Sequence, residues 1–226
     1  MNATIAALER VFGAFDNEHG VPAIDLDAAE RELGVRLPAA LRRLYERTGR
    51  HPLHTAEHRI VEPAQLGFKG DHLVIYEENQ GACVWGIAAG SLSADDPPVD
   101  MLPNTQGGVE VVAEFASVSQ FLAFQAAHQA VATLPFSGLI LPPSTLAHGR
   151  KLEPRKSVSR AQGKVVGEQL SKMADADVRI RPGAIALITS DGYFSLAAKD
   201  EATFRAVTDA LHVVDDDWDY FSPLDE

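Results

Sequence analysis

Cysteine is nearly absent. The 226 residues hold one, Cys83, which excludes an internal disulfide framework and any zinc or iron–sulfur site built on several cysteines. Cationic charge is also scarce: 20 Lys and Arg stand against 32 Asp and Glu, a formal net charge of -12. That balance disfavours nucleic acid or an anionic membrane as a non-specific partner and favours a basic one. Long apolar runs are missing too. The longest stretch without Asp, Glu, Lys or Arg, from Phe115 to Gly149, is interrupted by Gln120, Gln125, His128 and Gln129 and then by Pro135, Pro142 and Pro143. It reads as a helix followed by an extended segment, not as a membrane span. The opening MNATIAALERVF lacks the basic start and unbroken apolar core of a signal peptide, so a cytoplasmic location is expected.

What is present suits a globular chain, with 46% hydrophobic and 23% charged residues. The charge is uneven. Residues 1–149 carry 9 basic and 18 acidic groups, 150–181 carry 9 and 4, and 182–226 carry 2 and 10.

Ile5, Leu8, Val11, Phe12 and Phe15 form the one-sided stripe of a helix over about residues 3–15. A second helix is expected from Leu26 to Leu33, with Asp25 as its cap and Gly34 at its left-handed end, and a third from Pro38 to Gly49. The period then shortens. Ile60-Val61, Leu73 to Tyr76 and Cys83 to Ile87 read as consecutive strands, the last two joined by a hairpin at Glu78-Asn79-Gln80-Gly81. Val109 to Phe115 is a further strand, and Ser117 or Ser119 opens a helix running to about Val131. The run RKLEPRKSVSRAQGK, residues 150–164, marks a composition shift suited to a linker. Beyond it come an amphipathic stretch over Val165–Met173, the hairpin Ala184–Thr189, Asp191-Gly192, Tyr193–Ala198, and a helix over Glu201–Leu211.

Catalytic signatures are not found. No glycine pattern for cradling phosphate occurs, Gly107-Gly108 reads as a turn, and no nucleophile elbow is present. His51, His54 and His58 have a metal-like spacing, but Gly49 and Pro52 suggest an exposed loop of ordinary polar histidines. Asp215, Asp217, Asp219 and Glu226 imitate a calcium loop, yet Tyr220 stands where glycine is needed and Pro223 stiffens the segment. The basic run lacks aromatics, none occurring between Phe136 and Tyr193, so no stacking platform for a nucleic-acid strand accompanies it. Cys83, within an apolar strand pattern, reads as a small core residue. No metal, cofactor or catalytic residue is therefore expected.

Three groups of segments occur in a distinctive order. Ala29-Glu30-Arg31-Glu32-Leu33-Gly34-Val35-Arg36-Leu37-Pro38, then Leu41-Arg42-Arg43-Leu44-Tyr45 and Thr48-Gly49, make a helical opening. Tyr76-Glu77-Glu78-Asn79-Gln80-Gly81 leading into Trp85-Gly86-Ile87 makes a central hairpin, Asp96-Pro97-Pro98-Val99 follows it, and Ser119-Gln120-Phe121-Leu122 opens a closing helix. In their order and spacing these segments resemble the SUKH superfamily, whose bacterial members are commonly immunity proteins that neutralise polymorphic toxins and whose fungal relatives regulate cell-wall assembly. Arg50 departs from the family's pattern, where a second glycine is common.

The resemblance implies an α+β fold, a mostly antiparallel sheet with packed helices over residues 1–134. An extended segment and basic linker over 135–164 and a smaller α+β extension over 165–226 complete the expected organisation. It also implies a non-catalytic immunity protein that binds a cognate toxin domain, for which a basic nuclease would suit the acidic surplus. The alternative is an intracellular scaffold or regulatory protein-binding module. Candidate partner contacts are Glu77, Glu78, Asn79, Gln80, Asp95, Asp96 and Asp100, which cluster around the central hairpin and its following loop. Asn79 and Gln80 have a second reading, in which their side chains satisfy backbone groups of the turn. The carboxylates are the better contacts.

Overall fold

The computed structural model describes residues 2–105, 110–142 and 157–222. Among these, five α-helices and 12 strands form an α+β fold with two antiparallel sheets. In chain order the elements begin with α1 (Asn2–Phe12), α2 (Ala23–Leu33) and α3 (Ala39–Thr48). Strands β1 (Arg59–Ile60), β2 (Gly67–Lys69), β3 (His72–Glu77), β4 (Cys83–Ala88), β5 (Val99–Pro103) and β6 (Val112–Phe115) follow, then α4 (Val118–Thr133) and β7 (Phe136–Ile140). The remainder is β8 (Glu168–Lys172), β9 (Ala176–Arg181), β10 (Ala184–Thr189), β11 (Phe194–Ala198), α5 (Glu201–Leu211) and β12 (Tyr220–Ser222). Among the described residues no helix is long and apolar enough to cross a membrane.

Contacts divide the chain into two compact units, Met1–Ile5 with Phe15–Leu122, and Ala6–Ala14 with Ala123–Glu226. The division between these units along the later chain falls within α4, between Leu122 and Ala123. Gly107-Gly108 and the start of the strand read from Val109 lie outside the described residues, as do residues 150–156 of the basic run.

In the first unit the sheet runs β1-β3-β4-β5-β6, with β2 also paired to β3. Tyr76 and Trp85 pair across β3 and β4, and Phe121 of α4 meets both rings at 5.3 and 6.0 Å. Such aromatic contacts add roughly 0.5–1.5 kcal/mol each beyond the area they bury. Gly86, between Trp85 and Ile87, is tightly enclosed: a Cβ there would lie 3.0 Å from the Leu73 carbonyl and 3.2 Å from Leu102, so either neighbour would have to give way slightly. Gly34 closes α2 at φ 69°, as its position predicts. Asp25 does not cap that helix. Pro22 stands at its N-terminus without a side-chain cap, and the Asp25 carboxylate turns to Arg50 at 3.3 Å.

In the second unit the sheet order is β12-β7-β11-β10-β9-β8. Asp200 caps α5 by accepting from the Thr203 amide at 2.8 Å, and Phe204, Val207 and Leu211 carry the helix onto a core with Phe194, Leu196 and Trp218. Trp218 lies against Gly138 of β7, where a Cβ would come within 2.6 Å of the indole. The stretch read as amphipathic over Val165–Met173 is instead a 3-10 turn and the edge strand β8. Strand β9 buries Asp177 and Arg179 together, and Arg160 reaches the same carboxylate at 2.6 Å. Burial opposes the charge of Asp177, but Arg160 and Arg179 prevail and hold its carboxyl below the ordinary range. The first chain segment joins this unit through the Gly183 amide, which donates to the Arg10 carbonyl at 2.8 Å, and through Arg10 to Glu168 at 2.8 Å.

Candidate functional site

The central hairpin is built around a carboxylate. Gly81 takes φ 73° at the turn, and the Glu78 side chain accepts from the Gln80 and Ala82 amides at 2.8 and 2.9 Å. Glu78 thus satisfies the backbone groups that Asn79 and Gln80 were candidates to serve, while those two side chains stand exposed with no hydrogen bond among the described residues. Asn104 braces the tip from the β5 side. Its Nδ2 donates to the Gly81 carbonyl at 2.5 Å, and Lys69 donates to its Oδ1.

Glu77, one residue before the turn, pairs in register with Arg59 on β1. Arg59 Nε and Nη2 lie 2.6 and 2.5 Å from the same carboxylate oxygen. This pair separates two hollows. A cavity of about 550 Å3 lies on one side, between α2, the end of α3, β1 and the Pro63–Gln65 turn. Val21, Ala28, Ala29, Val61 and Pro63 supply its apolar lining, and Asp25, Glu32, Glu62 and Glu77 its carboxylates. On the other side a hollow of about 600 Å3 runs along the hairpin past Glu57, Glu78, Asn79 and Asn104. Together the two hold six carboxylates, those of Asp25, Glu32, Glu57, Glu62, Glu77 and Glu78, against two guanidiniums, Arg50 and Arg59. Both guanidiniums are already paired, with Asp25 and Glu77.

The other candidate contacts lie elsewhere. Asp100 on β5 pairs with Gly86, further along the sheet than the Cys83–Pro103 pair beside the turn, and its carboxylate meets His72 Nε2 at 3.1 Å. Asp95 and Asp96 precede β5 at its far end. The Asp95 carbonyl accepts from Ala40 at the start of α3, and the Asp96 carboxylate from Ser119 at the start of α4, at 2.8 and 3.0 Å. The structure therefore gathers Glu77, Glu78, Asn79 and Gln80 in one place and leaves Asp95, Asp96 and Asp100 outside it. Arg59, Glu32 and Glu62 belong to the surface but give no local signal, since strand register and helix packing bring them there.

Of the histidines read as exposed, His54 and His58 are buried and His51 is half-buried. His54 is fully buried between Thr48 Oγ1 at 2.9 Å and Tyr76 Oη at 3.3 Å. Thr48 spends its hydroxyl proton on the Leu44 carbonyl, so His54 donates from Nε2 and accepts the Tyr76 proton at Nδ1. His58 lies against the Trp85 ring at 5.4 Å, and His51 against His19 at 4.6 Å. Burial, and then the neighbouring His51, lower His54 to about 3; burial, and then His19, lower His51 to about 4. Tyr45, pushed up by burial and then by Tyr76, keeps its proton and donates to the Val61 carbonyl at 2.6 Å.

The three aspartates of the calcium-like run are each engaged separately. Asp215 holds Arg205, Asp217 accepts from the Val214 amide at 2.9 Å, and Asp219 accepts from the Leu141 amide at 2.8 Å. Pro223 and Glu226 lie outside the described residues. Among the described residues no three His, Cys, Asp or Glu side chains come together as a metal set. Cys83 is buried, and burial followed by the negative Glu78 and Glu114 pushes its thiol up, away from the thiolate that nucleophilic chemistry requires.

The class these features define is an α+β protein with an acidic, partly apolar concave surface on its first unit. Comparison with protein-family models, with curated proteins and with solved structures finds no match to the chain.

Proposed function

We propose that the chain is a SUKH-type immunity protein that binds a cognate toxin domain in the cytoplasm and blocks its active site or substrate path without catalysis. The observation that carries this reading is the pair of hollows meeting at Arg59 and Glu77, where six carboxylates face two guanidiniums that are already paired. A surface so charged complements a basic one, and carboxylates there would take the place of phosphates on a nuclease. The tip residues Asn79 and Gln80 add exposed amide groups held on a turn braced by Glu78 and Asn104. Rigid presentation of this kind lowers the ordering cost of binding.

The test is capture of partners by the tagged full chain from its native cells at low and moderate salt, with mass spectrometry of what is retained. One toxin-like protein, released progressively by salt, is the expected outcome. A stable complex with a housekeeping protein, insensitive to salt, would overturn neutralisation in favour of a regulatory module.

A further inference from the structure

The cavity between α2, β1 and the Pro63–Gln65 turn combines two features rarely useful apart: apolar walls and an excess of carboxylate. Val21, Ala28, Val61 and Pro63 line it, a surface along which the hydrocarbon stem of a charged side chain can lie. Four carboxylates belong to it, and the chain answers two with its own arginines, Arg50 to Asp25 and Arg59 to Glu77. Glu32 and Glu62 remain, exposed and without an ion pair among the described residues. The volume of about 550 Å3 falls within the roughly 300–1,000 Å3 typical of sites that enclose a ligand group.

We infer that this cavity receives a single arginine side chain of the protein partner, its methylene stem along Ala28, Val61 and Pro63 and its guanidinium at Glu32 and Glu62. This rests on the protein-binding reading above and names the group recognised. Arginine is favoured over lysine because its guanidinium is more weakly hydrated, and so is less costly to seat in a half-enclosed site, and because its several N–H donors can serve more than one carboxylate. Buried arginines are also among the residues that dominate binding energy at protein interfaces. The Arg59–Glu77 pair then forms the wall between this anchor site and the hairpin hollow, where the remainder of the partner surface lies.

The experiment titrates the isotope-labelled full chain with N-acetyl-arginine-N-methylamide, and in parallel with its lysine and citrulline counterparts, following backbone amides by NMR at low salt. The expected result is saturable, millimolar binding with shifts centred on Ala28 and Ala64, weaker for lysine and absent for citrulline, which keeps the shape and loses the charge. Glu32→Gln with Glu62→Gln should weaken it about tenfold or more. Ala28→Trp, on an exposed helix position and so harmless to the fold, should abolish it by filling the cavity. Asp209→Asn with Asp216→Asn removes the same charge from the second unit and should change nothing. No saturable binding at the highest soluble concentration, equal binding of citrulline, or equal weakening by the distant pair would overturn the inference. The two readings fail separately. A captured toxin held as tightly by the Glu32→Gln, Glu62→Gln chain removes the anchor and leaves neutralisation standing, whereas arginine binding in the cavity without a toxin-like partner does the reverse.

Discussion

Arg59 stands directly opposite Glu77 across β1 and β3, and its guanidinium reaches one carboxylate oxygen through Nε and Nη2 at 2.6 and 2.5 Å. Because the Arg59 guanidinium is largely in water and Glu77 is partly so, the pair contributes little to folding, within about 1 kcal/mol. Its weight is electrostatic. Arg59→Ala should leave the melting temperature nearly unchanged and release Glu77 into the acidic surface, raising the association rate with a basic partner. Stopped-flow binding at two salt concentrations checks this, and the gain should shrink as salt rises.

Glu78 is a structural carboxylate in a site of exposed ones. Glu78→Ala leaves the Gln80 and Ala82 amides without their acceptor and should cost about 1–2 kcal/mol in urea unfolding. Glu78→Gln keeps an oxygen in the same place and should restore most of that stability. Equal losses in the two variants would show that charge, not hydrogen bonding, holds the turn.

His54 ties stability to pH. Folded, it takes a proton only near pH 3, while an unfolded histidine does so near pH 6.5. Between those values the unfolded chain binds the extra proton, so stability is greatest above about pH 6.5 and falls as the solution is acidified. His51, lowered to about 4, acts in the same direction over a narrower window. His54→Gln should lower stability at neutral pH, since it disturbs the Tyr76 and Thr48 bonds, and should reduce the slope between pH 6 and 4 by about 1.4 kcal/mol per pH unit. Denaturant titrations across that range measure it.

Gly138 is open to a steric test. Gly138→Ala would drive a methyl group into the Trp218 indole, at 2.6 Å, and should cost about 1–3 kcal/mol with a change in tryptophan fluorescence. Trp218→Ala empties the same place and should cost about 3–5 kcal/mol. If Gly138→Ala were silent, the packing of Trp218 on β7 would be wrong.

Elements with their own local signature are legible in the chain. The stripe from Ile5 to Phe15 marks α1, although the helix stops at Phe12, Gly34 ends α2, and the Asp191-Gly192 turn links β10 to β11, where Gly192 takes φ 99°. Strand β9 has a period of two in Ala176-Asp177-Val178-Arg179-Ile180-Arg181, but Asp177 and Arg179 on its polar side are paired with each other and buried, so alternation does not there mean one wet face. Strand β5 is obscured by Asp100 and by the prolines at 97, 98 and 103. At the site, Glu77 to Gln80 are contiguous and so readable together. Arg59 is not, because it meets Glu77 only through a pairing 18 residues apart. Asp95 and Asp96 look alike in sequence to the hairpin carboxylates, yet one offers its carbonyl to α3 and the other its carboxylate to α4.

The second unit contains Ala6–Ala14, and the Arg10 carbonyl there is the acceptor for Gly183. Its partner at Gly183 lies far along the chain, so during synthesis the segment must wait for that residue to be made. The first unit can close on residues up to Leu122 while synthesis continues, but the second cannot, and contacts so distant along the chain make for slow folding. A single break between Leu122 and Ala123 would part Ala6–Ala14 from the rest of its unit, so the two units cannot be separated by one cut in the chain.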